Sequence, residues 1–212
     1  MDWLIFTKKI TSPLRLITFI STPLIINRKF QMEKITALSL SIGILSGVAT
    51  YFAVGPAAGV FFIWAATIAW AAYFLLGADR EAAINTIING IFGVFMAWIT
   101  ALLLLKIDPE ISLGVEITTA LIVAGAVIVL CLSANLPQFA IIPVGVLGYS
   151  STFAYLLQTP DKLNQEVLLG ASLNNPLLVI SISFILGSVF GHLSNQLAGK
   201  LSSIPSPLVR KR

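Results

Sequence analysis

Six apolar runs follow one another along this chain, at 35–54, 58–76, 83–105, 117–132, 138–157 and 177–198. A helix crossing a hydrocarbon core about 30 Å thick needs roughly 20 mostly apolar residues. Five runs meet that length, and the shortest, the fourth, reaches it by taking in flanking residues. The runs lack strand-like alternation and exceed the roughly 9–11 residues of a barrel strand. With no water to satisfy backbone groups inside lipid, helices are the remaining solution. The expected fold is therefore all-α, a polytopic membrane bundle of six transmembrane helices.

Composition agrees. Of 212 residues, 57% are apolar and 10% charged, against about 25% charged in an ordinary soluble domain. With mean hydropathy +0.95, this excludes a water-soluble enzyme, a disordered chain and a nucleic-acid-binding domain. One cysteine, Cys131, leaves no intrachain disulfide and no cysteine metal site.

The connections carry turn chemistry. Gly55-Pro56 separates runs one and two, a charged turn at 77–81 precedes run three, and Asn135-Leu136-Pro137 precedes run five. Loops 106–116 and 159–175 are polar. Six spans put both termini on one side, together with eleven of the thirteen Lys and Arg residues, Arg80 among them; Lys106 and Lys162 fall on the other. The positive-inside rule makes the terminal side cytoplasmic, in a bacterial-type inner membrane. The chain then reads as residues 1–34, a basic amphipathic segment on the cytoplasmic leaflet; 35–200, the six-helix domain; and 201–212, a basic tail. The first segment has a longest charge-free run of twelve residues, too short to span, and Pro13 and Pro23 are expected to interrupt any long helix. It suits anionic lipids, with a cleaved targeting peptide as the alternative.

Within the spans, Ser39, Gly43 and Gly47 share one face, as do Ser183, Gly187 and Gly191. Such small-residue stripes are expected to serve helix packing. The matching stripes raise a three-plus-three repeat. Helix three would then have to match helix six, and its stripe (Asn85, Asn89, Gly93) differs. Asn89 must find partners at membrane depth, from other helices or from a small polar solute. Helix five is read as interrupted by Pro143, with Gly148, Ser151 and Thr152 extending the exposed polarity. Trp64 and Phe61 read as core residues, or as a constriction in a path. His192, the only histidine, is the candidate pH-sensitive residue, its ordinary pKa being about 6.5, or else a satisfied histidine at the cytoplasmic end. No carboxylate lies firmly within a span, and no nucleophile–base pair or phosphate loop is present. Neither catalysis nor ion-coupled pumping is expected, nor any cofactor or metal.

Several pieces together resemble the YcdZ-like bacterial inner-membrane proteins, a family built on a domain of unknown function. They are Gly43-Ile44-Leu45-Ser46-Gly47, Trp64-Ala65, Ala72-Tyr73-Phe74, Pro143, Gly148, Thr152-Phe153-Ala154 and Phe190-Gly191, in order over 35–200. The resemblance implies a compact polytopic inner-membrane protein and carries no substrate. The expected function is a passive channel or facilitator for a small neutral or weakly polar solute, its candidate path Asn89, Ser151, Thr152, Pro143, Gly148, Trp64 and Phe61. The alternative is a structural or accessory membrane protein. Expected partners are the bilayer, anionic lipids and further copies of the chain in a homo-oligomer.

Overall fold

A computed structural model describes residues 13–203, with side chains described from 34 to 203. Among these the chain is helical, without a strand. The helices are α1 (Pro13–Val54), α2 (Ile63–Leu75), α3 (Arg80–Leu104), α4 (Val115–Leu132), α5 (Ile142–Gln158), α6 (Gln165–Leu169) and α7 (Pro176–Ser202), with two short 3₁₀ turns between α4 and α5. Among the described residues four segments are long and apolar enough to cross a membrane: Lys34–Val54, Arg80–Leu104, Val115–Asn135 and Pro176–Ser202. The chain divides into a unit of Met1–Ser41 with Leu197–Arg212 and a unit of Ile42–Gln196. In the first, Ala37, Ser41 and Ala198 are buried. The second holds the features described below.

Three expectations change. The second apolar run forms a helix only from Ile63, because Gly59 turns the chain in a left-handed conformation, φ 82°. The fifth forms one only from Ile142, which puts Pro143 in the first turn. There a missing N–H costs nothing, since the first turn's donors have no intrahelical acceptor. Helix five is therefore not interrupted, and Pro143 frees no carbonyl at depth. Third, α1 is one element from Pro13 to Val54, unbroken at Pro23. The side chains of the basic segment 1–34 lie almost wholly outside the described residues, as does most of the tail 201–212, so their lipid contacts are not described.

The core is two parallel helix pairs. α2 runs alongside α7: the amide of Phe62, before α2, donates to Ser183 Oγ at 2.8 Å, Gly187 lies against the Ala66 carbonyl, and Trp70 Nε1 donates to Ser194 Oγ at 3.0 Å. Past the end of α2, Asn195 Nδ2 donates to the Ala78 carbonyl at 2.9 Å. α5 runs alongside α3 in the same way: the amide of Ile141, before α5, donates to Asn89 Oδ1 at 3.1 Å, and Gly93 lies against the Gly145 carbonyl.

The two pairs correspond residue by residue. Phe62, Ala66 and Trp70 become Ile141, Gly145 and Tyr149 on adding 79, while Asn89, Gly93 and Thr100 become Ser183, Gly187 and Ser194 on adding 94. All six buried residues of α2 (Ala65, Ala66, Ala69, Trp70, Ala72, Tyr73) map onto buried residues of α5. Because α2 and α3 form a hairpin across a short turn, the two pairs run in opposite directions. The unit thus holds an inverted repeat, α2 and α3 against α5 and α7, and Gly90 meets the ring of its own counterpart, Phe184, where the halves touch. The two offsets differ by fifteen residues, an insertion carried by segment 159–175.

Candidate functional site

Asn89 is buried, and its side chain is spent on backbone: Nδ2 donates to the Asn85 carbonyl at 3.0 Å while Oδ1 receives the Ile141 amide. Thr152 Oγ1 donates to the Gly148 carbonyl at 2.9 Å, and Gly148 lies against the Gly90 carbonyl. Ser151 is buried with no partner for its hydroxyl among the described residues. Tyr149 sits beside Thr100, short of completing a hydrogen bond. These groups line helix–helix contacts closed by glycine in this structure. Pro143 is exposed.

Trp64 is 65% exposed, which corrects its reading as core or constriction. It lies opposite the alanine face of α2, on the side that would meet lipid. Phe61, by contrast, is buried. The small-residue stripes also part company. Gly187 meets Ala66 and Ala69, and Gly191 meets Tyr73 and Trp70, whereas Gly43 and Gly47 have nothing within 4 Å and Ser39 is exposed. Among the described residues of α1 the buried ones are Ala37, Ser41 and Ala49, none of them in the stripe expected to pack helix one. His192 is exposed, its Nδ1 3.4 Å from the Tyr73 hydroxyl and its Nε2 2.9 Å from Gln196 Nε2. Among the described residues no cluster suits a metal.

The structure adds a recess that sequence reasoning passed over. It has a volume of about 280 Å³ at the Ile63 end of α2. Its lining includes the apolar Phe61, Phe62 and Val179 and the polar groups of Tyr155, Thr159, Lys162 and Asn174. Lys162 Nζ donates to Asn174 Oδ1 at 2.8 Å and stands 5.9 Å from the centre of the Tyr155 ring. The Tyr155 hydroxyl donates to the Asn174 carbonyl at 3.1 Å.

The insertion is anchored to hold this wall. Leu168 is fully buried, and its carbonyl receives Trp98 Nε1 at 2.8 Å and Asn175 Nδ2 at 3.0 Å. Asn164 caps α6 by accepting from the Val167 amide at 2.8 Å. The signal available in the sequence was Lys162 itself, one of only two cations among the loops expected on the far side of the membrane.

Apolar helices of spanning length, packed through glycine and alanine with buried polar groups turned onto backbone, define a helical membrane-embedded protein. The family model described as a protein of unknown function (DUF1097) matches residues 39–199, and the chain belongs to that family. No curated protein and no solved structure matches the chain.

Proposed function

We propose that this is a six-span bacterial inner-membrane protein of the YcdZ-like kind, with cytoplasmic termini, that acts as a passive facilitator for a small neutral or weakly polar solute and catalyses no reaction. The observation that carries this reading is the inverted repeat. Halves of opposite orientation meeting at midplane recur in membrane transporters, where one half rocks against the other. Among the described residues the carboxylates within the spans, Glu81 and Glu116, sit in the first turns of α3 and α4 rather than at depth, where one would couple an ion, and this supports passive movement. The recess is the mouth of the path, and the Gly90–Gly148 and Gly90–Phe184 contacts close it in this state.

Two further features support six spans. α2 runs parallel to α7 from Ser183 to Asn195, and so shares the depth of a helix long enough to cross. The Ala78 turn then falls at the end of α7 nearer Lys200, with the C-terminus. The charge count alone does not choose: a four-span reading that leaves out α2 and α5 exchanges Arg80 for Lys106 and keeps the same eleven-to-two split.

Proteoliposomes challenged with water, urea, glycerol, ammonia and short-chain acids test the function by light scattering. One solute should relax faster than through lipid alone, and Thr159→Trp at the mouth should slow it. Lipid-like rates for every solute, from protein shown to be folded, would favour the accessory role instead. The open face at Gly43 and Gly47 supports that second reading, as a surface for another protein or a second copy.

A further inference from the structure

We propose that the recess is a binding site for a small amphiphilic monoanion, a carboxylate carrying a short apolar tail, with Lys162 as the group that holds the charge. The site goes beyond the transport reading and stands whether or not any solute crosses. Four observations converge on it.

First, Lys162 has no carboxylate partner among the described residues. Its ammonium has three donors, and the one bond given to it goes to the neutral Asn174 Oδ1. That bond and the Tyr155 ring hold the stem in place and leave two donors unused. Second, the Thr159 side chain, on the same wall, has no hydrogen-bond partner among the described residues and can donate to the second oxygen of a carboxylate.

Third, Phe61, Phe62 and Val179 line the same cavity. They would bury an alkyl or aryl tail of a few carbons. At about 280 Å³ the recess falls just below the roughly 300–1,000 Å³ range of pockets for drug-sized ligands. It suits a small acid and is too small for a two-chain lipid. Fourth, Thr159, Lys162 and Asn174 all belong to the insertion by which the second half of the repeat outgrows the first. The first half has only the short turn before Asp79 at the equivalent place. The polar wall is therefore an addition to a symmetric scaffold, held over the bundle by Trp98 and Asn175.

The test is calorimetric titration of the full chain in neutral-lipid nanodiscs, using hexanoate, 1-hexanol and hexylamine, three probes with one tail length and different heads. Hexanoate should bind saturably and the other two at least about tenfold more weakly. Lys162→Met should weaken hexanoate about tenfold or more, and Lys162→Arg should retain it. Asn174→Ala, which frees the lysine without removing its charge, should weaken it less. Hexanol binding as tightly as hexanoate, undiminished binding to folded Lys162→Met, or no saturable hexanoate signal from folded protein would each overturn the proposal. Repeating the titration with phosphatidylglycerol in the nanodisc separates the sources of such an anion. Unchanged hexanoate affinity supports a free acid, whereas competition would show a lipid headgroup in the site and overturn the free-acid assignment.

Discussion

Substituting Gly93 by alanine inserts one methyl group where α3 crosses α5. The added carbon would overlap the Gly145 carbonyl oxygen, standing 2.7 Å from that carbonyl's carbon and 2.9 Å from the Tyr149 nitrogen. Ordinary contact begins at 3.4 Å, so the helices must part by at least 0.7 Å. Every neighbour in the way is backbone, and no side chain can swing aside to relieve the strain. Overpacking of this kind costs about 1–3 kcal/mol, and backbone-on-backbone crowding places it near about 3 kcal/mol. The higher helix propensity of alanine returns about 1 kcal/mol, for a net loss of about 2 kcal/mol.

Gly43→Ala is the control. Nothing lies within 4 Å, so only the propensity gain of up to about 1 kcal/mol remains. Reversible unfolding in mixed micelles should separate the two variants by about 3 kcal/mol. Gly187→Ala, the repeat counterpart of Gly93→Ala, collides with the Ala66 carbonyl and should lose as much. Gly93→Ala and Gly187→Ala both within about 0.5 kcal/mol of Gly43→Ala would refute the glycine-closed core. A loss at Gly43→Ala alone would mean that the outward stripe, rather than the core, carries the packing.

Asn89→Ala leaves the Ile141 amide without its acceptor and should cost about 1–3 kcal/mol in the same unfolding assay. Its counterpart Ser183→Ala, which strands the Phe62 amide, should cost a comparable amount. Trp98→Phe removes the bond to the Leu168 carbonyl, and limited proteolysis should then cut within 159–175 faster while the helices stay resistant. Trp64→Ala, on an outward face, should shift stability by no more than about 0.5 kcal/mol.

The helical class was legible because the lipid thickness writes itself into the length of apolar runs. The start of α5 was not, because Pro143 has the same letter whether it kinks a helix or begins one. What decides is the acceptor offered to Ile141 by Asn89, 52 residues away. The repeat was visible only as a half-clue. Ser183-Gly187 matches Ser39-Gly43 in spacing, whereas its structural counterpart is Asn89-Gly93. Asparagine and serine look unlike in a stripe of small residues, yet both serve here as acceptors for the first amide of a neighbouring helix. What the stripe on α1 packs against was not legible for a related reason: small residues show that another backbone can approach, and do not say whose. Lys162 escaped notice because its value lies in being folded back over Tyr155, which no local spacing announces.

The crossing number of α2 and α5 is the point on which the account turns, and cysteine accessibility measures it. In a Cys131→Ala background, single cysteines replace Glu81 and Ser112, both exposed, and intact cells are treated with a membrane-impermeant maleimide. Six spans predict labelling at position 112 from outside and at position 81 only after permeabilisation. The reverse pattern would leave α2 and α5 uncrossed, restore a four-span topology and remove the inverted repeat from the membrane.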